Sequence, residues 1–360
     1  MPLRDKIVEM AKNVESLDQK NVANLIDSVT EEINSRLGIP TLTSEQMSKI
    51  VEYMKKAEKA TGQEQKDWWA RADEIIHSVE ESSARDKFRG VQRILLLSNP
   101  KTLITRNAGG NVLLGVAENV KDVPAAAVDA ALSKMLGTER TTALSAGKVK
   151  AQFKGFGKGT KDWAHDVKTG LDTSPSQTHF EYGQVKTFDP SKGNNVLSKT
   201  MLGIANKLDM GIKRTLQLGD RPFYEAAYAS RKAELEALAK DGKAFKGLSK
   251  EETAEQIEEL SRLAALDRVY QSDTKLAEWG SNFRRSLGVA GDILMPFTQT
   301  PANVLDKLLD YSPAGFVRGM IQLGTTVKTG KFDQKLFVDR IGRSFTGGGA
   351  IMLGYAMAKH

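Results

Sequence analysis

Apolar positions recur every three or four residues through most of the chain, and that spacing predicts helices rather than strands. Val22, Leu25, Ile26, Val29, Ile33 and Leu37 share one face of a segment that stops at Gly38-Ile39-Pro40. In the next segment Met47, Ile50, Val51 and Met54 form the stripe, with Thr43 or Ser44 as cap ahead of Glu45 and Gln46 and a stop at Thr61-Gly62. A third helix runs from about Gln65 to Ser83 and buries Trp68, Trp69, Ala72, Ile75, Ile76 and Val79. Together these predict a small helical bundle over 1–87.

From Phe88 the pattern changes. The residue before a proline is pushed out of the α region, so Asn99-Pro100 predicts a break with a new helix near Pro100. Arg93, Lys101 and Arg106 flank this corner, either as phosphate contacts or as partners of helix-end carbonyls. Ala108, Gly109, Gly110 and Gly115 allow close helix approach or a kink, and an alanine-rich helix is expected from Pro124. Residues 173–195, rich in Ser, Thr, Pro, Gly and Asn, read as a linker or long loop, with a short strand over 181–188 as one option. Gly219-Asp220-Arg221-Pro222 reads as a turn and helix start, with Asp209 or Asp220 pairing with Arg214 or Arg221. A further helix from Lys250 to about Tyr270 carries the stripe Ile257, Leu260, Leu263, Ala264 and Leu266.

The expected fold class is therefore all-α, an elongated or bundled multi-helix architecture with a long central loop. Its parts are an N-terminal bundle (1–87), a basic helical segment (88–172), the loop (173–195), a helical hairpin region (196–280) and apolar amphipathic helices (281–360). The last part departs from ordinary soluble texture. Pro-started amphipathic helices follow a nearly apolar Leu287–Phe297, and from Ser344 the chain runs 15 residues without a charge before Lys359. A bilayer span needs about 20. The segment containing Ala350, Ile351, Met352, Leu353, Tyr355 and Met357 is thus a candidate membrane-seeking helix, too short to span alone, with a buried core helix as the competing reading. The chain stops inside this texture, which points to a piece of a longer polypeptide.

Charge sharpens the picture. The net charge of +7 is uneven: residues 1–85 hold 12 Lys+Arg against 16 Asp+Glu, 86–220 hold 20 against 12, and 221–360 hold 20 against 17. In the basic middle, Lys148, Lys150, Lys154, Lys158 and Lys161 alternate with Phe153, Phe156 and Trp163, a composition suited to phosphate or lipid contact. A helix with its aromatics in a core is the competing reading. Gly155, Gly157 and Gly159 match neither common phosphate-loop spacing, and no strand precedes them.

Chemistry-bearing sets are otherwise missing from the linear sequence. There is no cysteine, and His77, His165, His179 and His360 are scattered without metal-ligand spacing. Adjacent carboxylates such as Glu31-Glu32 and Glu80-Glu81 point about 100° apart on a helix and read as solvated. No catalytic, cofactor-binding or metal residue is assigned, and the chain is not expected to be an enzyme. The N-terminal residues hold acidic side chains and no apolar run of secretory type.

Four stretches carry a resemblance: LLLSNPKTLITRNAGGNV at 95–112, LGDRPFYEAAYAS at 218–230, MPFTQTPANVLDKLLDYSPAG at 295–315 and RSFTGGGAIMLGYAMA at 343–358. In this order they resemble a helical region of large polyvalent, virion-associated proteins of tailed bacteriophages. The resemblance implies a structural protein that is packaged in the virion, associates with itself or other virion proteins, and is delivered with the genome to the host envelope or cytoplasm. Host membrane lipids and DNA are the further partners it implies. A basic nucleic-acid-binding packaging or scaffold protein is the second reading, and an enzyme of unrecognised mechanism the third.

Overall fold

The computed structural model describes residues 43–78, 84–97, 109–174, 187–272, 274–288, 291, 298–329 and 332–358. Among them the fold is all-helical, with no strand. The eleven α-helices are α1 (Ser44–Lys59), α2 (Gly62–Ser78), α3 (Ala84–Leu97), α4 (Gly109–Leu136), α5 (Ala146–Thr169), α6 (Val196–Lys240), α7 (Lys250–Arg268), α8 (Lys275–Ser286), α9 (Gln299–Asp310), α10 (Pro313–Thr329) and α11 (Gln334–Ala358). The expected helix over 22–37, the break at 98–100, and most of the optional strand over 181–188 lie outside the described residues. Thr187 and Phe188, at the edge of that span, form a bend.

The chain divides into two compact units, each discontinuous: residues 1–91 with 164–210, and residues 92–163 with 211–360. In the first unit α1 follows its local signals closely. The Thr43 hydroxyl accepts from the Gln46 amide while the Gln46 side chain accepts from the Thr43 amide, closing a capping box that satisfies otherwise orphaned donors. Met47, Ile50, Val51 and Met54 are buried against α2, each such side chain contributing about 1.5–3 kcal/mol. Tyr53 and Trp68 meet with ring centroids 5.5 Å apart, and the Lys56 ammonium lies 4.7 Å from the Trp68 ring. At the end of α5, Asp166 accepts from both the amide and the hydroxyl of Thr173 and fixes the chain's exit.

The second unit departs from the local signals at two of its prolines, Pro124 and Pro222. Pro124 does not open a helix; it lies inside the 28-residue α4. Pro222 likewise lies inside the 45-residue α6, so the expected turn at 219–222 is continuous helix. A proline within a helix removes one ladder donor and crowds the preceding turn, and packing offsets that cost here. Ala125 joins Phe337, Val338 and Ile341 of α11 in one core cluster. Beside Pro222, the Asn111 side-chain amide donates to the Gly219 carbonyl at 2.7 Å, and Arg221 is buried with its guanidinium 3.5 Å from Asp162.

A second cluster joins Tyr224 of α6 to Ala265 and Leu266 of α7 and to Val269. The buried face of α7 is rotated from the expected stripe: Ile257 and Leu266 are inside with Ser261 and Arg268, whereas Leu260 and Leu263 are exposed. Asp129, fully buried on α4, ties down the loop to α5. It accepts from the amides of Thr141 and Thr142 and from the Gln334 side chain of α11. Among the described residues no helix is long and apolar enough to cross a membrane.

Candidate functional site

Two surfaces of the second unit gather the residues singled out by the sequence. The first lies between α5 and α6. Gly155 and Gly159, one helical turn apart, face the α6 backbone: a Cβ at Gly159 would sit 2.7 Å from the Arg221 carbonyl oxygen, and one at Gly155 would collide with the Glu225 carbonyl. The glycines are there to let two helices approach, which no phosphate-loop spacing would reveal. Gly157 points into open space.

Beside this contact runs a groove of about 610 Å³ with Ala151, Gly155, Ala229 and Ala233 in its lining. Lys154, Lys158 and Lys161 follow one face of α5 along it, and Lys232 and Tyr228 come from α6. Lys158 donates to Glu225 at 2.7 Å, and Lys232 donates to Glu258 at 2.9 Å and to the Tyr228 hydroxyl at 3.3 Å. Desolvation pushes the Tyr228 phenol up to about 12, so it stays a neutral donor at physiological pH. Lys154 and Lys161 are exposed and form no ion pair among the described residues. Ammonium groups beside an apolar surface suit an anion that carries an apolar body.

The other residues of this segment are placed differently. Lys150 is exposed, but Lys148 is turned inward, its ammonium 2.7 Å from Asp122 and 3.1 Å from Glu234. Phe153 is 75% exposed, while Phe156 stands edge-on to Phe223 with centroids 5.3 Å apart. Trp163 is half-buried and donates its indole N–H to the Arg214 carbonyl at 2.9 Å.

The second surface is formed by α4, α9, α10 and α11: α4 packs on α11, α11 on α10 and α9, and α10 on α9. The first half of α11 is held against α4, but from Gly349 to Ala358 every residue is exposed, including Ala350, Ile351, Met352, Leu353, Tyr355 and Met357. The outward positions of the other three helices have the same character: Leu113, Val116, Val120 and Val123 on α4, Leu305 and Leu308 on α9, Phe316, Val317, Met320 and Ile321 on α10. Among the described side chains of these four helices, Lys134 is the one charged residue in the exposed class.

Their other described charges are buried or half-buried and pair with one another or with neighbouring segments. The Lys121 ammonium lies 2.8 Å from Asp339, 3.1 Å from Glu118 and 3.4 Å from Asp122. Arg343 reaches three carboxylates, Glu118 at 2.8 Å, Asp267 at 3.2 Å and Asp310 at 3.4 Å. Lys307 adds a 2.6 Å contact to Asp267, and Arg318 bridges Asp306 and Asp310 at 2.7 and 2.6 Å. Burial alone would raise the Glu118 carboxyl; Arg343, Lys121 and Lys307 outweigh it and hold the group well below the usual carboxylate range. At Asp310 burial prevails over Arg343 and Arg318, and its carboxyl sits above the ordinary value. Sequence reading missed this lattice. Its trace was the placement of Lys335, Asp339 and Arg343 four residues apart in the first half of a helix whose second half is uncharged.

No group of three or more His, Asp or Glu side chains among the described residues is arranged to hold a metal ion. Comparison with protein-family models, curated proteins and solved structures returns no match.

Proposed function

We propose that this chain is a structural, virion-associated protein of a bacteriophage, delivered with the genome, which assembles through its helices and touches the host membrane. The phage context rests on the four-stretch resemblance; the membrane contact rests on the exposed apolar end of α11. Ten consecutive exposed residues without a charge, Gly349–Ala358, belong to a helix that water does not favour on every side. The reading gives the protein no catalytic role.

Vesicle flotation tests it. The full chain is expected to float with phosphatidylcholine vesicles, and a chain ending at Gly348 is expected not to. That endpoint keeps Arg343 and its three carboxylates in place, so lost flotation is not lost folding. Equal flotation of both chains would refute the role of α11, and flotation of neither would refute membrane contact.

A nucleic-acid role is the second reading, favoured by exposed Lys150, Lys154 and Lys161. It requires DNA affinity that falls steeply with salt. Binding that is absent, or flat with salt, rejects it.

A further inference from the structure

We propose that the membrane-contacting surface extends beyond the end of α11 to the outward faces of α4, α9 and α10, which lie against lipid acyl chains while their charges close on one another inside. The inference rests on the membrane reading above and names the surface that reading leaves undefined.

The distribution of charge carries it. A surface that faces water is ordinarily about one-quarter to one-third charged, and here, among the described side chains of the four helices, Lys134 stands alone in the exposed class. These helices are not short of charge. α4 alone holds Glu118, Lys121, Asp122 and Asp129, and all four are turned inward. The arrangement inverts the usual amphipathic helix, in which apolar positions face the core and charges face solvent.

The kind of occupant follows from how far the pattern reaches. A protein partner removes charge from the centre of its contact but leaves a polar, charged rim. On α4 the exposed positions from Val112 to Ala131 include no charge and one polar side chain, Asn119. At 1.5 Å per residue that is about 29 Å of helix. The outward positions of α9, α10 and α11, which pack with one another and, through α11, with α4, have the same uncharged character. Lipid excludes charge over its whole contact area, and ionisable groups near it face the protein interior and pair. A second copy docking through α4 would account for the Leu113, Val116, Val120 and Val123 row, but not for Leu308 on α9 or Met320 on α10. Since no described helix is apolar enough to cross a membrane, the proposed contact is with the acyl layer from one side.

The absence of cysteine makes the test direct, because a single introduced thiol is a unique labelling site. Val120→Cys, Leu308→Cys and Met320→Cys would each carry an environment-sensitive fluorophore, with Ile351→Cys reporting the α11 contact and Glu255→Cys on α7 as the exposed, charged control. On adding phosphatidylcholine vesicles containing a minority of phosphatidylglycerol, emission at 120, 308, 320 and 351 should shift to the blue and rise several-fold, with no change at 255. If only 351 responds, the α11 reading stands and the extended surface is wrong. If no position responds, both fail. If 120, 308 or 320 respond to protein concentration without vesicles, a second copy covers the face and the lipid assignment is overturned.

A charge substitution provides an independent measurement. Val120→Arg and Leu308→Arg should each weaken vesicle partition by about tenfold, with helical circular dichroism unchanged. Simple electrostatic adsorption to these anionic vesicles predicts the opposite, tighter binding, and that result would also overturn the proposal.

Discussion

Replacing Glu234 with glutamine should remove a large part of the stability of the second unit. The carboxylate is almost fully buried on α6, where it accepts from the Ala143 amide at 2.8 Å and from the Arg231 guanidinium at 2.8 Å and lies 3.1 Å from the Lys148 ammonium. Burial opposes its charge, yet Arg231 and Lys148 prevail and bring it to about 2, from an ordinary 4.5. At about 1.4 kcal/mol per unit, the difference corresponds to about 3 kcal/mol of stability. The folded-state value is the lower one, so this contribution is complete above the unfolded value of 4.5 and disappears as pH falls through about 2. Urea unfolding at pH 7 should therefore show Glu234→Gln less stable by about 3 kcal/mol. At pH 3 the gap between the two proteins should shrink to less than half. A gap below about 0.5 kcal/mol at pH 7, the range of an ordinary surface substitution, or an equal gap at both pH values, would refute the reasoning.

Arg343→Met strands Glu118, Asp267 and Asp310 together and should cost about 3–5 kcal/mol by denaturant titration. Adding Glu118→Gln should recover part of that loss, and a strictly additive double variant would contradict the shared-lattice account. The α5 glycines should separate cleanly in thermal melts. Gly159→Val drives a side chain into the Arg221 carbonyl and should destabilise by at least about 1–3 kcal/mol, whereas Gly157→Ala, in open space on a helix, should stabilise by up to about 1 kcal/mol. Asn111→Ala removes the amide that serves the Gly219 carbonyl beside Pro222 and should cost about 1–3 kcal/mol, with fraying detected by amide exchange near that carbonyl.

What the sequence made visible was what neighbouring residues decide. The α1 cap and its stripe lie within a dozen positions, and the structure has both where the spacing puts them. Pro222 shows the converse. Its local signal for a helix start is sound chemistry, but Asn111 supplies, from 108 positions away, a hydrogen bond to the nearby Gly219 carbonyl that propensity cannot anticipate. The α7 face rotated for a similar reason: Arg268 is drawn inside, where its guanidinium donates to the Asn111 carbonyl at 3.2 Å, and Leu263 is left outside. Of the candidate site, the lysine row and the apolar end were legible as composition along single helices. The inward lattice was not, because Arg343 finds its carboxylates 33, 76 and 225 residues away. The inversion of α4 needs both facts at once: which residues are charged, and which way they face.

The pairing of Lys121 with Asp339 spans 218 residues, and this has a consequence for how the chain is made. At a synthesis rate of about 5–20 residues per second, α4 emerges roughly 10–40 seconds before the segment that neutralises its inward charges. Throughout that interval the inward face of α4 lacks its partner from α11: its charges lack Asp339 and Arg343, and Ala125 lacks its cluster. The α4 charges of the second unit are therefore left without their α11 partners until α11 has been made, although the contacts of α5 with α6 and of α6 with α7 need no residue from it.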